Sequence, residues 1–111
     1  MTIQEMQGQV DGWISQFEEG YFPPNVMILR LAEELGELAR EVNHEYGPKR
    51  KKATEPDGSL AMEIGDMLFV LVSLANSLGL DLEAIFGQVM VKYETRDANR
   101  WTRKNPGSED V

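Results

Sequence analysis

Glu34 with Glu37, and Glu63 with Asp66, form two acidic pairs whose members stand three residues apart inside strongly apolar stretches. Residues at that spacing on a helix lie on nearly one face, a turn apart, so each pair can aim two carboxylates at one point. Two such helices packed side by side would enclose a cluster of four carboxylates. Four anions in a half-buried site raise one another's pKa through desolvation and repulsion, so the charged cluster requires a cation. The chain has no Cys and a single His, which leaves oxygen as the ligand atom. Oxygen ligation favours a hard ion, Mg²⁺ or Mn²⁺ in its place, over zinc or copper.

Periodicity supplies the helices that carry these acids. Ile28, Leu31, Leu35, Leu38 and Val42 predict a helix from near Val26 to about Tyr46 with this stripe as its buried seam. Pro23 and Pro24 break the chain before it, Asn25 is suited to cap it, and Gly47 and Pro48 end it. A second helix starts at Ser59 or Leu60 and continues to about Leu78, with an apolar band from Ile64 to Leu78 too wide for one neighbour. Gly36 and Gly65 interrupt the two acidic motifs. A mid-helix glycine costs up to about 1 kcal/mol relative to alanine, and close approach of a neighbouring helix or a hydrated metal would account for it.

Two further helices flank this pair. Thr2 and Glu5 form a capping box ahead of Ile3, Met6, Val10, Trp13, Ile14 and Phe17, predicting a helix from Ile3 to about Glu18. Asp81 caps the last helix, whose apolar positions include Leu82, Ile85, Val89 and Tyr93. Residues 48–58 read as a polar loop, and the tail is polar and frayed from about Thr102. No segment shows sustained period-two alternation. The expected fold is therefore all-α: residues 1–111 form a single domain, a small bundle of four main helices with the second and third as an antiparallel central pair.

The net charge of -8 argues against a nucleic-acid polymer as partner, since such binding needs many Lys and Arg on phosphates. The absence of Cys and of a leader pattern points to the cytoplasm. The longest mostly apolar run, Met67 to Ala75, is about half of the roughly 20 residues a membrane span needs, so no membrane partner is expected. A domain of 111 residues with so broad an apolar helix should form a homodimer or homotetramer. Local basic patches remain: Lys49, Arg50, Lys51 and Lys52 in the loop, and Lys92, Arg96 and Arg100 along one face of the last helix. A small polyphosphate could use either. The loop cluster is equally readable as a solvated run, and the helical one as cations favoured at a helix C-terminus.

Glu33-Glu34-x-x-Glu37, then 25 residues, then Glu63-x-x-Asp66 resembles the signature of the MazG-type nucleoside triphosphate pyrophosphohydrolases. That all-α superfamily also includes dimeric dUTPases and phosphoribosyl-ATP pyrophosphohydrolases. Leu31-Ala32, Leu38-Ala39 and the run Ile64 to Leu74 are similar to the family's two central helices. The resemblance implies Glu34, Glu37, Glu63 and Asp66 as Mg²⁺ ligands, with Glu33 as an accessory carboxylate. It implies hydrolysis of a nucleoside triphosphate between the α and β phosphates, giving a monophosphate and pyrophosphate, in nucleotide-pool sanitation. It also implies Lys92, Arg96 and Asn99 on the phosphate tail, and Trp13 and His44 as contacts to the base. Trp13 and Phe17 fit the apolar stripe of the first helix as well, and His44 is readable as an ordinary surface histidine.

Three alternatives compete. Within the superfamily, phosphoribosyl-ATP would be the substrate. Outside it, the acids would be a solvated face and the apolar band a partner-binding groove of a non-catalytic helical module. A di-iron carboxylate bundle needs two Glu-x-x-His motifs; Glu41-x-x-His44 supplies one, and with a single His in the chain the second is missing, which argues against it.

Overall fold

The structure, a computed structural model, describes residues 1–47 and 59–104. The expected loop, with Lys49 to Lys52, and the tail beyond Lys104 lie outside the described residues. Four helices follow in order, α1 (Ile3–Ile14), α2 (Pro24–Tyr46), α3 (Leu60–Ser77) and α4 (Leu82–Arg96), and the described residues contain no strand.

The helix starts are set by side chains that satisfy otherwise orphaned N–H groups. Thr2 accepts from the Glu5 amide while Glu5 reaches back to the Thr2 amide, closing the capping box on α1. Ser59 accepts from the Met62 amide at α3, and Asp81 from the Glu83 amide at α4. α2 departs from expectation. Pro23 occupies its N-cap with no side-chain hydrogen bond, Pro24 takes the first turn, and Asn25 lies inside the helix instead of capping it. Proline's fixed φ suits the first helical position, where its missing N–H would have no partner anyway. Gly79, at φ +67°, gives α3 its stop in the left-handed region that a side chain disfavours.

α1 is also shorter than its periodicity suggests, ending at Ile14 with residues 15–23 turning back non-helically. Tyr21, on that segment, donates to Asp11 at 2.6 Å and accepts from Asn76 at 3.2 Å. These bonds fold the chain against α1 and α3, so Phe17 lies beyond the helix it seemed to extend.

α3 is the centre of the packing, with α2 and α1 against it and α4 chiefly against α1. Val72, at 1% exposure, is the most buried large side chain; Val10, Met27, Val70 and Ala75 complete a small core. Met27 of α2 shares a cavity wall with Val70 of α3, whereas Glu34 further along α2 meets Glu63 earlier on α3. α2 and α3 therefore run antiparallel.

The α2 seam differs from the expected stripe. Its covered face is Met27, Leu31, Glu34, Leu38, Glu41 and His44, while Ile28, Leu35 and Val42 are exposed, Leu35 by 54%. α2 thus has two apolar strips, and α3 takes the one that includes the acids. On α3, Ile64, Leu68 and Leu71 are likewise exposed. The radius of gyration is 18.8 Å, against about 13 Å for a compact chain of this length.

By length and composition α3 is apolar enough to cross a membrane, with a mean hydropathy of 1.4 over its 18 residues. The uninterrupted run used above understated it. α3 nevertheless carries Glu63, Asp66 and Asn76, and packs on two other helices.

Candidate functional site

One carboxylate oxygen each from Glu34, Glu37 and Glu63 lies within 4.8 Å of the others, so α2 and α3 together present a three-acid cluster. Glu34 and Glu63 are half-buried and Glu37 is exposed. Oε2 of Glu34 and Oε2 of Glu63 are both buried without a hydrogen-bond partner. Buried carboxylate oxygens lacking donors are costly. Burial first, then the charges of Glu37, Glu34 and Asp66 and a hydrogen bond with Glu37, hold the Glu63 carboxyl above its ordinary value. A cation is what such a donor set lacks: it would satisfy both orphaned oxygens and reverse the repulsion. The ligands are all oxygen and approach from two helices with one side open to solvent, which fits a hard divalent ion that keeps some of its waters.

Asp66 is exposed and outside the three-acid set, though near enough for its charge to act on Glu63. Glu33 is also exposed. Gly36 and Gly65 do not mark close helix approach within the protomer, because a Cβ at either would meet nothing within 4 Å.

A cavity of about 330 Å³ is walled by Trp13, Phe17, Phe22, Met27, Phe69 and Val70, with Arg30 and Tyr21 also in its lining. Trp13 and Phe17 meet edge to face, ring centroids 5.1 Å apart. Met27 precedes Glu34 by seven residues on α2, and Val70 follows Glu63 by seven on α3. Seven residues are two helical turns, about 10 Å. The cavity and the acids thus lie along the same α2–α3 pair, two turns apart. Phe22, Met27, Phe69 and Arg30 were not singled out by sequence, since each fits an ordinary core or surface pattern; only the excess of aromatics between Trp13 and Phe22 hinted at this wall.

His44 lies on the covered face of α2, but 17 residues beyond Met27, roughly 25 Å along the helix. The acids lie between His44 and the aromatic cavity, so one base cannot touch both His44 and Trp13 of a single protomer. On α4, Lys92 lies over the Tyr93 ring at 5.0 Å, and Arg96 pairs with Asp97 at 3.4 Å. Asn99 and Arg100 line an open polar hollow with Arg96. Lys92 and Arg96 sit on α4, which packs chiefly against α1, whereas Asn99 and Arg100 lie in the turn beyond its end at Arg96, so the expected helical face of Lys92, Arg96 and Arg100 stops one turn short.

Comparison with known families settles what kind of chain carries this site. Residues 22–101 match the MazG nucleotide pyrophosphohydrolase domain. The chain belongs to the MazG nucleotide pyrophosphohydrolase family. The MazG match spans α2, α3 and α4 and the whole acidic motif. The chain is similar to the YpjD protein of Bacillus subtilis (strain 168), 61% identical over 106 residues, which are 96% of this chain and 96% of that one. Among solved structures it resembles YPJD from Bacillus subtilis, described as a candidate pyrophosphatase, with TM-score 0.78 and 60% identity over 86% of this chain and 97% of that chain. It also resembles a Bacillus-conserved MazG protein described as a nucleotide pyrophosphohydrolase, with TM-score 0.75 and 51% identity over 86% of this chain and 93% of the other. The all-α fold and the MazG-type assignment read from the acidic motif both stand.

Proposed function

We propose that this MazG-family chain is a cytoplasmic, Mg²⁺-dependent pyrophosphohydrolase of nucleoside triphosphates, cutting between the α and β phosphates in nucleotide-pool sanitation. The observation that carries it is the convergence of Glu34, Glu37 and Glu63, two of them with orphaned buried oxygens, two helical turns along α2 and α3 from an aromatic cavity.

Glu34, Glu37 and Glu63 hold the ion, with Asp66 joining from its exposed position and Glu33 as an accessory charge. When bound, Mg²⁺ neutralises phosphate oxygens and the charge that develops on them during cleavage. The chain's own carboxylates orient a water toward the α phosphorus and accept its proton. About 10 Å separates base from acids along this helix pair, a span that suits a nucleoside with its α phosphate at the cluster. Trp13 and Phe17 then stack on the base, and His44 faces the pyrophosphate end beyond the acids.

Lys92, Arg96 and Asn99 are assigned to the phosphate tail. α4, which carries Lys92 and Arg96 with Asn99 just beyond its end, packs chiefly on α1, and the exposed strips on α2 and α3 suit a homodimer or homotetramer in which this end of one copy serves the acids of another. The deciding experiment is incubation with a panel of nucleoside triphosphates and Mg²⁺. Release of pyrophosphate that disappears in Glu63→Gln supports the proposal. Single-phosphate release, or turnover unaffected by that substitution, overturns it, and turnover of phosphoribosyl-ATP alone would move the substrate assignment to histidine synthesis.

A further inference from the structure

The segment 15–23 between α1 and α2 supplies Phe17, Tyr21 and Phe22 to the walls of the aromatic cavity. Its own hydrogen bonds are short-range: the Phe17 amide donates to the Ile14 carbonyl, and the Gly20 amide to the Phe17 carbonyl. Among the described residues, its hydrogen bond to α3 runs through one side chain, the Tyr21 hydroxyl. That hydroxyl donates to the Asp11 carboxylate at 2.6 Å and accepts from Asn76 Nδ2 at 3.2 Å.

Asn76 is itself fixed. Its Nδ2 also donates to the Gln7 carbonyl, and its Oδ1 accepts from Gln7 Nε2, both at 2.9 Å. Gln7 Nε2 also donates to the Leu80 carbonyl, and Gln7 Oε1 accepts from the Leu82 amide. Each amide group thus has its partners, and the network joins α1, α3 and the start of α4 into a rigid frame. Burial, and then Asp11, push the Tyr21 hydroxyl up, so it remains the donor at neutral pH. A charge-assisted bond of this length is stronger than a neutral one.

We propose that Tyr21 is a positioning residue: its hydroxyl latches the segment 15–23 to the Asp11–Asn76–Gln7 frame and thereby sets the width, and the ligand affinity, of the aromatic cavity. The latch itself follows from the hydrogen bonds. Its effect on affinity rests on the nucleobase seat proposed above, and the two can fail separately.

The test is Tyr21→Phe, which keeps the ring against the cavity and removes both hydrogen bonds. Trp101→Phe in the same background leaves Trp13 as the fluorescent reporter. Amides of residues 15–23 should exchange with solvent roughly tenfold faster, as expected when a bond to a charged acceptor is lost. Trp13 should become more accessible to acrylamide, while helix content stays unchanged by circular dichroism. KM for the nucleotide turned over fastest should rise about tenfold with kcat within about twofold. Asp11→Asn, which keeps a neutral acceptor, should lie between wild type and Tyr21→Phe. Unchanged exchange over 15–23, or an equal fall in kcat with loss of helix, overturns the latch, and faster exchange with unchanged KM overturns its control of ligand affinity. Should Trp13→Ala also leave KM unchanged, the nucleobase seat fails, and amide exchange still decides whether Tyr21 holds the segment.

Discussion

One carboxylate oxygen of Glu37 on α2 lies within 4.8 Å of one of Glu63 on α3, and burial and the neighbouring charges hold the Glu63 carboxyl above its ordinary value. Two acids from separate helices are thus set against each other in the fold. The arrangement costs stability when both are charged, and a divalent ion would reverse that cost.

Replacing Glu63 by Gln removes one member of this pair. Pyrophosphate release is expected to fall by about 10²–10³, the scale of losing one electrostatic stabiliser in an active site. Calorimetric titration with Mg²⁺ or Mn²⁺ should lose its saturable heat. The ion-free variant should melt higher than wild type, because a repelled carboxylate has gone.

Stability should depend on pH with a defined sign. A carboxyl whose folded pKa is raised binds its proton more tightly in the native state, so its contribution is full below the unfolded pKa, about 4.3. It is lost as pH rises through the higher folded value. In chelator, melting temperature should therefore fall as the pH is raised from the acid side through that window. Saturating Mg²⁺ should remove the decline at neutral pH, and a cation-independent profile would contradict the site.

Val72 tests the core apart from the chemistry. At 1% exposure in the C-terminal half of α3, its truncation in Val72→Ala should cost about 1–3 kcal/mol in urea unfolding. Cation binding per folded molecule should be retained.

The proposed homo-oligomer is tested on the strip that α3 leaves open. Leu35 is 54% exposed, between Ile28 and Val42 at heptad spacing. Leu35→Glu places a charge in that strip while facing away from the acidic cluster. Light scattering should report a smaller species than wild type; a wild-type monomer across the micromolar range would remove the proposed homo-oligomer.

Much of the molecule was readable from residue order. The Thr2–Glu5 box, Ser59, Gly79 and Asp81 punctuate the helices where local hydrogen-bond chemistry requires. The acids were legible because Glu63 stands in a helix that is otherwise nearly apolar. Other features depended on tertiary contacts. Nothing local distinguishes Leu38, which is half-covered, from Leu35, which is not, because both satisfy a helical period and only the rotation of α2 against α3 decides. α1 stops at Ile14 despite an apolar Phe17 in register, and Tyr21 reaching Asp11 and Asn76 accounts for that turn. Asn76, polar near the end of an apolar helix, was the one sequence sign of that frame.

The outward strips of Ile28, Leu35 and Val42 on α2, and of Ile64, Leu68 and Leu71 on α3, bear on the life of the newly made chain. A lone protomer presents greasy ridges that invite indiscriminate sticking. Finding its own kind quickly would hide them, so heat tolerance should climb with protein concentration, and dilute preparations should be the first to clump on warming.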